Sequence, residues 1–196
     1  SHPLSITTPA LTEIQWWADA LANWNGRSFL PILFENTVHI WTDAATSYGI
    51  GGYTILPPSN EVHYFSIPTP IHFLPFINIK HHQGHTSHNN PAINLLELIA
   101  ATHAIHIFAP LYPTNTAIIL HTDNSCTYSI LNRNSSTTPK YITVLKTLTP
   151  LFLSRKFLLH SDWLPTLANP IADALSRGEK ESFFELFKHL PPPPTF

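Results

Sequence analysis

The chain has 196 residues, of which 43% are hydrophobic and only 11% are charged, whereas soluble proteins typically carry about 25% charged residues. This length accommodates one domain of ordinary size plus appendages, and the hydrophobic content excludes wholesale disorder. The formal net charge of −2, with 13 His residues, excludes a strongly basic nucleic-acid binder.

The first 36 residues are predicted to form an arm that precedes the main domain. Residues 12–21 suit a short amphipathic helix with Thr12 near its N-cap. Three of the five Trp residues lie in this arm, and we expect them to pack on this domain or on a neighbouring one rather than to stack on a ligand. They are Trp16, Trp17 and Trp24.

Two apolar runs end in the same Thr-Asp pair and are predicted to be buried strands. The first covers residues 38–43 and ends at Asp43, and the second covers residues 117–123 and ends at Asp123. A strand that is covered on both faces shows no polar alternation. If the two strands are parallel neighbours, their carboxyl ends meet at the edge where open α/β sheets bind ligands. Asp43 and Asp123 would then repel each other unless a cation lay between them.

Two further strands, over residues 49–56 and 61–67, are predicted to follow the first run as an antiparallel meander. Residues 68–90 are rich in Pro and His without clear periodicity and are predicted to form a loop. Four His residues crowd this loop, but their Gly, Ser, Asn and Pro surroundings favour a solvated loop over a metal site. They are His81, His82, His85 and His88.

An apolar helix is predicted to begin at Asn90-Pro91, with Asn as the cap and Pro at the first helical position. It extends to about residue 109, and because it is apolar nearly all round we expect it to be buried. Glu97 is its only acid. A buried carboxylate must be neutral, paired or bound to a metal, and a position near the sheet edge favours the metal.

The second half of the chain alternates helices with one more strand. A helix over residues 139–155 should kink or break at Pro150. The last core helix, over residues 171–177, begins after Asn169-Pro170, carries Asp173 near its start and ends before Gly178. The other predicted segments are a helix over residues 124–132, a polar loop over 133–138, a strand over 157–161, a loop over 162–168, an exposed helix over 179–190 and a Pro-rich tail over 191–194.

Four acids therefore occur in a defined order along the chain. Two of them lie at the ends of strands, one lies on the buried helix, and one lies near the start of the last core helix. Mg²⁺ prefers oxygen ligands, and a two-metal phosphoryl-transfer site needs several carboxylates around ions about 4 Å apart. A single acid after a strand is usually a turn or cap residue, whereas four acids in this element order are much more specific. The four are Asp43, Glu97, Asp123 and Asp173.

The motifs around these acids resemble the ribonuclease H domain of retroelement reverse transcriptases. The Ala-Asp-Ala-Leu-Ser-Arg sequence that ends at Arg177 is typical of long-terminal-repeat and related retrotransposons. Flanking sequences such as Trp16-Trp17 and Phe108-Ala109-Pro110-Leu111 are similar to tyrosine-recombinase elements of the DIRS and Ngaro type. The resemblance covers most of residues 11–178. The motifs that carry it are Thr42-Asp43, Leu95-Leu96-Glu97-Leu98, His121-Thr122-Asp123-Asn124 and Ile171-Ala172-Asp173-Ala174-Leu175-Ser176-Arg177.

The resemblance implies an α/β, ribonuclease H-like fold: a five-stranded mixed sheet of order 3-2-1-4-5 flanked by helices. It also implies hydrolysis of the RNA strand of RNA–DNA hybrids during reverse transcription, by two-metal-ion catalysis. Two Mg²⁺ ions, or Mn²⁺ as a substitute, would be held by four catalytic and metal-binding residues. One ion would activate water and the other would stabilise the leaving 3′ oxygen. The four residues are Asp43, Glu97, Asp123 and Asp173.

By motif position, the resemblance further implies contacts with the substrate. Asn94 and Ser125 would touch the RNA sugar edge, where a 2′-OH distinguishes RNA from DNA. Thr46 or Ser47 would contact the DNA phosphates, although a Ser/Thr turn after the first strand is an equal alternative. The candidate substrate-binding residues are Asn94, Asn124, Ser125, Thr46, Ser47 and Arg133.

The same resemblance implies a domain organisation and partners. Residues 1–36 would be an arm that connects to an upstream reverse transcriptase polymerase domain, residues 37–178 the ribonuclease H-like domain, and residues 179–196 a C-terminal helix and tail. The expected partners are an RNA–DNA hybrid and that polymerase domain. A single Cys, Cys126, permits no internal disulfide, and neither a signal peptide nor a bilayer-spanning run is evident. We therefore expect no membrane partner and an intracellular location within a retroelement replication complex.

Two departures from the family bear on turnover. The loop over residues 162–167 lacks the His that many members carry there, and the segment between the two middle helices is too short for the basic substrate-gripping helix of cellular enzymes. The main alternative is a non-catalytic connection or interaction module, or a domesticated nucleic-acid-binding domain, although degenerate copies usually lose acids. A polynucleotidyl transferase or integrase on the same fold fits less well, because its acid spacing and closing helix differ.

Overall fold

The computed structural model describes residues 5–22, 36–69 and 91–189, and in these ranges five strands form one mixed sheet. The strand order is β3-β2-β1-β4-β5, with antiparallel pairing on the β3 side and parallel pairing of β1 with β4 and of β4 with β5. The predicted five-stranded mixed sheet of order 3-2-1-4-5 is therefore confirmed. The strands are β1 Asn36–Ala44, β2 Gly49–Leu56, β3 Glu61–Pro68, β4 Thr116–Thr122 and β5 Leu158–Trp163.

Helices pack against both faces of this sheet. One helix, α2, lies on the face of β1 and β2, and another, α6, lies on the opposite face over β1, β2 and β3. Helix α3 packs beside β5, where the Asn132 amide forms hydrogen bonds of 2.8 Å with both the N–H and the C=O of Ser161. The helices are α1 Thr8–Ala22, α2 Pro91–Phe108, α3 Ser125–Arg133, α4 Pro139–Lys146, α5 Thr149–Arg155, α6 Pro170–Ser176 and α7 Lys180–Lys188.

Helix α2 is the centre of the main core, as its sequence predicts. From Leu95 to Ala101 every residue is buried, and the helix shares one apolar cluster with Ile40 of β1 and with Ile118 of β4. By length and composition alone the segment Ala92–Leu111 could cross a membrane, with a mean hydropathy of 1.5. Since 67% of it is buried inside the protein, its apolar surface is already used by the core.

The second face of the sheet is less covered than predicted. In β4, buried residues alternate with half-buried ones such as Ile119 and His121, so the prediction that this strand is covered on both faces is wrong for one face. The reason is that α6 packs on β1, β2 and β3. The rings of His39 and His121 instead lie edge to edge on this face, with Nδ1 of His39 2.9 Å from Nε2 of His121.

Helix α7 is docked on the domain and is not simply an exposed helix. Phe183 is 1% exposed and belongs to an apolar cluster with Tyr53 and with Ile171 and Leu175 of α6. Its ring also contacts Tyr64 of β3 at a centroid distance of 4.7 Å. Phe183 is thus the most buried of the α7 side chains that hold this helix on the second face of the sheet, and Phe187 packs against the same cluster.

Several predicted boundaries shift for local reasons. The break predicted at Pro150 is confirmed: the helix expected over residues 139–155 is divided into α4 and α5, because Pro150 has no N–H to donate and lies in the first turn of α5. Helix α1 begins one turn earlier than predicted, so Thr12 lies inside it and its hydroxyl donates to the Thr8 carbonyl at 3.0 Å. Strand β5 continues to Trp163, two residues into the predicted loop.

Some predictions fall outside the described residues. These are the loop with its four His residues, Trp24 of the arm and the Pro-rich tail.

The docking of α7 predicts a large difference between two adjacent Phe residues. Phe183→Ala should lower the free energy of unfolding by about 3 to 5 kcal/mol, because it removes a fully buried ring. Phe184→Ala is the matched control: its side chain is 48% exposed, so its effect should stay below about 1 kcal/mol. Urea denaturation measures both values. Equal effects of the two variants would show that α7 is not held through Phe183.

Candidate metal centre

Two of the predicted acids lie side by side at the carboxyl edge of the sheet. In the parallel pair of β1 and β4, Trp41 is the register partner of His121. Asp43 and Asp123 each follow two residues later on their chains, so they reach the edge at the same level. Asp43 is still within β1, and Asp123 directly follows the last residue of β4.

Glu97 joins these two acids from helix α2. One carboxylate oxygen from each of Asp43, Glu97 and Asp123 lies within 4.8 Å of the other two. We call these three residues the carboxylate cluster. Glu97 lies in the second turn of α2, where the packing of the helix against β1 and β2 aims its side chain at the sheet edge, and its carboxylate accepts a hydrogen bond from the backbone N–H of Ala44.

Burial makes the charged form of this cluster costly. Removal from water is the main cause that raises the pKa of Asp43 to about 7, and the nearby charges of Asp123 and Asp173 raise it further. For Glu97, which is 4% exposed, burial comes first and the charges of Asp43 and Asp123 follow, so that its pKa lies well above the usual value. The metal-free site therefore retains protons near neutral pH.

The fourth predicted acid, Asp173, lies nearby but has a different partner. It is in the first turn of α6, close enough to the cluster for its charge to raise the pKa of both Asp43 and Glu97. Its two carboxylate oxygens accept hydrogen bonds of 2.8 to 2.9 Å from the guanidinium of Arg177, one turn later on the same helix. The structure thus brings three acids together and pairs the fourth with a cation.

The donor set of the cluster fits a hard divalent cation. Three carboxylates converge, and Mg²⁺ and Mn²⁺ prefer oxygen ligands of this kind. One oxygen of Glu97, Oε2, is buried and has no hydrogen-bond partner among the described residues, although buried polar atoms are normally paired. A cation at this position would both satisfy that oxygen and neutralise the mutual repulsion of the acids.

Three of the candidate substrate-binding residues border the cluster. Asn124 follows Asp123 and caps α3, with its side-chain oxygen accepting the Thr127 N–H at 2.9 Å. Its amide nitrogen donates to Asn94 Oδ1 on α2, also at 2.9 Å, so the two amides form a connected pair. Ser125, the first residue of α3, is exposed.

The other candidates lie at different places. Thr46 and Ser47 are exposed in the turn between β1 and β2, directly after the strand that carries Asp43. Arg133 is exposed at the last position of α3, so a helix of nine residues, about 13 Å long, separates it from the cluster. Thr46 and Ser47 are therefore near the acids along the chain, and Arg133 is remote from them.

Three residues that contact the acids were not predicted from the sequence. Ser176 of α6 lies with its hydroxyl 2.5 Å from Oδ2 of Asp43, and the indole N–H of Trp163 donates to the backbone carbonyl of Asp123 at 2.8 Å. Arg177 follows Asp173 by four residues, a helical spacing that favours an ion pair and that could have revealed it. No local signal in the sequence distinguishes Ser176 or Trp163 in this way.

Three solved structures are similar to most of this chain. RNase H1 from the halophilic archaeon Halobacterium salinarum NRC-1 is 15% identical with a TM-score of 0.49, over 74% of this chain and 98% of that one. The N-terminal RNase H domain of a Mycobacterium tuberculosis protein, solved as a fusion with maltose-binding protein, is 14% identical with a TM-score of 0.47, over 71% and 95%. LC11-RNase H1, isolated from compost by a metagenomic approach, is 15% identical with a TM-score of 0.49, over 78% and 99%.

Neither a protein-family profile nor a curated protein sequence matches the chain.

The raised pKa of Asp43 predicts that the variant Asp43→Asn gains stability over the wild type as the pH rises. The folded wild type holds a proton up to pH about 7, whereas the unfolded chain releases it near pH 3.9. Its stability therefore decreases with rising pH between these values. In EDTA, the free energy of unfolding of Asp43→Asn relative to that of the wild type should increase by roughly 2 to 3 kcal/mol from pH 5 to pH 8.

Burial also lowers the pKa of four His residues, which makes the free energy of unfolding rise with pH and so opposes the effect of Asp43. Those residues are His39, His103, His106 and His121. Comparing the variant with the wild type at each pH removes this shared contribution. Asp19→Asn on exposed α1 is the control, because it removes a carboxylate that lies outside the cluster. Excess Mg²⁺ at pH 8 should stabilise the wild type more than Asp43→Asn. A pH-independent difference for Asp43→Asn would contradict the prediction.

Proposed function

We propose that this chain is a metal-dependent endonuclease that hydrolyses the RNA strand of RNA–DNA hybrids, as a ribonuclease H. The observation that carries the proposal is the convergence of Asp43, Glu97 and Asp123 at the carboxyl edge of the sheet. Their donor atoms fit a divalent cation, and phosphodiester hydrolysis by two metal ions is the chemistry that such a set of carboxylates serves. The strand order and the resemblance of the motifs around these acids support the same reading.

In this proposal the cluster would hold Mg²⁺, with Mn²⁺ as a substitute, and Asp173 would complete the set for a second ion. When bound, the ions lower the pKa of coordinated water and neutralise charge that develops on the phosphate. The protein contributes a rigid frame, since Asp43 and Asp123 extend from paired strands and Glu97 projects from a buried helix. As a ligand, Asp173 would share its carboxylate between the ion and the guanidinium of Arg177, or release that guanidinium.

The same proposal assigns the substrate contacts. The amide pair of Asn94 and Asn124, together with Ser125, borders the cluster and would bind the RNA sugar edge, where only RNA offers a 2′-OH. Thr46 and Ser47, which are exposed in the turn after β1, would contact a DNA phosphate. Arg133 would meet the hybrid farther along the duplex.

Few basic residues remain for binding the phosphate backbone. Among the described residues, the ammonium of Lys146 is paired with Glu13 and lies 4.8 Å from the Trp16 ring centroid. Arg177 is paired with Asp173, and Lys188 with Glu185. Affinity for nucleic acid depends largely on phosphate contacts. We therefore propose that a second domain holds most of the hybrid.

Helix α1 supports an upstream partner for this chain. None of its residues is buried, and its large apolar side chains are about half exposed. Contiguous exposed apolar surface marks interaction sites. We propose that residues 1–36 are an arm that contacts an upstream reverse transcriptase polymerase domain. Residues 37–178 would form the nuclease domain, and residues 179–196 a C-terminal extension. The whole protein would act intracellularly, in a retroelement of the DIRS or Ngaro type or in a related LTR element. The exposed side chains of α1 are Leu11, Ile14, Trp17 and Leu21.

A second candidate function is a non-catalytic interaction module. The observation in its favour is the ion pair of Asp173 with Arg177, which occupies both oxygens of the fourth acid, together with the apolar surface of α1. In that case the domain would bind a partner or a nucleic acid without cleaving it.

A cleavage assay with RNA–DNA hybrid separates the two functions. The wild type should cleave the RNA strand in Mg²⁺ or Mn²⁺ and not in chelator, whereas Asp43→Asn and Asp123→Asn should each lose at least about 100-fold in rate because a metal ligand is worth several kcal/mol. Glu185→Gln is the control, because Glu185 is an exposed acid of α7 that is paired with Lys188, and this variant should keep the wild-type rate.

The substrates are a labelled hybrid and, as a specificity control, duplex DNA of the same sequence. Cleavage that survives Asp43→Asn, or that proceeds in chelator, would contradict the metal-dependent mechanism. A wild type that binds the hybrid without cleaving it under any metal condition would support the non-catalytic module.

A further inference from the structure

We propose that Ser176 is a positioning residue that fixes the orientation of the Asp43 carboxylate in the cluster. This inference rests on the proposed function, because it concerns how the cluster is held ready for a metal ion. Ser176 is fully buried, and its Oγ lies 2.5 Å from Oδ2 of Asp43. The hydroxyl is also 2.9 Å from the carbonyl of Asp173, but it has one proton, which an ionised Asp43 attracts more strongly.

The contact depends on an unusually close approach between helix α6 and strand β2. Gly51 is the register partner of Asp43 in the antiparallel pair of β1 and β2. A Cβ at Gly51 would lie 2.4 Å from the backbone nitrogen of Ser176 and 2.5 Å from Cβ of Leu175. Only glycine leaves the space for α6 to lie against the strand, and that space puts the Ser176 hydroxyl beside Asp43.

Other hydrogen bonds already hold α6 on the sheet. The amide nitrogen of Asn169, at the start of the helix, donates to the Thr42 carbonyl of β1 at 3.0 Å. At the other end, the hydroxyl of Ser66 on β3 donates to the Leu175 carbonyl at 2.6 Å. Ser176 is thus not needed to dock the helix, and its hydroxyl is directed at the Asp43 carboxylate, which accepts no other side-chain hydrogen bond among the described residues.

The orientation of Asp43 matters because its neighbours in the cluster repel it. Without a hydrogen bond to Ser176, the carboxylate would be free to turn away from Glu97 and Asp123. Residues that orient a metal ligand by hydrogen bonding typically change metal affinity by about 10- to 100-fold when they are removed. The Ser176 hydroxyl also provides a hydrogen bond to one oxygen of Asp43, which is buried away from water.

The experiment compares Ser176→Ala with Ser66→Ala in the full chain. Isothermal titration with Mn²⁺ at a fixed pH, without nucleic acid, should show metal affinity reduced about 10- to 100-fold in Ser176→Ala. Ser66→Ala is the matched control, because it removes a hydroxyl that binds the same helix but does not touch Asp43. Its Mn²⁺ affinity should equal that of the wild type, even if urea denaturation shows lower stability.

Three results would overturn the inference: wild-type Mn²⁺ affinity in Ser176→Ala, an equal loss in Ser66→Ala, or no binding of Mn²⁺ by the wild type. The last would also remove the metal centre itself. The cleavage assay separates this inference from the proposed function. If the wild type binds Mn²⁺ in a Ser176-dependent manner but cleaves no hybrid, the proposed function fails and the positioning role stands.

Discussion

The repulsion between carboxylates at the edge of the sheet is the constraint on which the rest of this structure depends. Asp43, Glu97 and Asp123 place oxygens within 4.8 Å of one another, and burial raises the pKa of both Asp43 and Glu97. Such a cluster lowers stability in the absence of a cation. It persists because three elements with large apolar contacts of their own, β1, β4 and α2, determine where the acids lie.

Helix α6 completes the site from the opposite face. Its approach to β2 at Gly51 brings Ser176 to Asp43, and its first turn brings Asp173 within electrostatic range of the other acids. The guanidinium of Arg177 forms an ion pair with Asp173 and neutralises its charge. The short α6 and the Arg177 residue that directly follows it therefore supply a hydrogen-bond donor for one acid and a cation for another, so the docking of a single helix affects the charge balance of the whole centre.

Much of the fold could be predicted because local signals and tertiary packing agree. The β-branched runs ending at Asp43 and Asp123 correspond to β1 and β4, and an Asn-Pro sequence marks the start of both α2 and α6. What the sequence did not reveal depends on contacts between distant residues. Phe183 and Phe184 are equivalent in sequence, and only packing in the cluster with Tyr53, Ile171 and Leu175 decides that Phe183 is the buried one.

The candidate site was predictable to a similar extent. The acids follow from the ends of strands and the lone Glu of an apolar helix, and the Asp173–Arg177 pair follows from helical spacing. The bond between Ser176 and Asp43 joins residues 133 positions apart and depends on how closely α6 approaches Gly51. The pairing of Lys146 with Glu13 is equally distant in sequence. Sequence spacing carries no information about either contact.

A crystal structure of the protein grown with Mn²⁺ tests the central claim most directly, because anomalous scattering locates the ion independently of any activity. We expect an anomalous peak bonded to oxygens of Asp43, Glu97 and Asp123, at the metal–oxygen distances usual for Mn²⁺. A cluster without a peak at saturating Mn²⁺, or a peak held by His residues elsewhere on the chain, would contradict it.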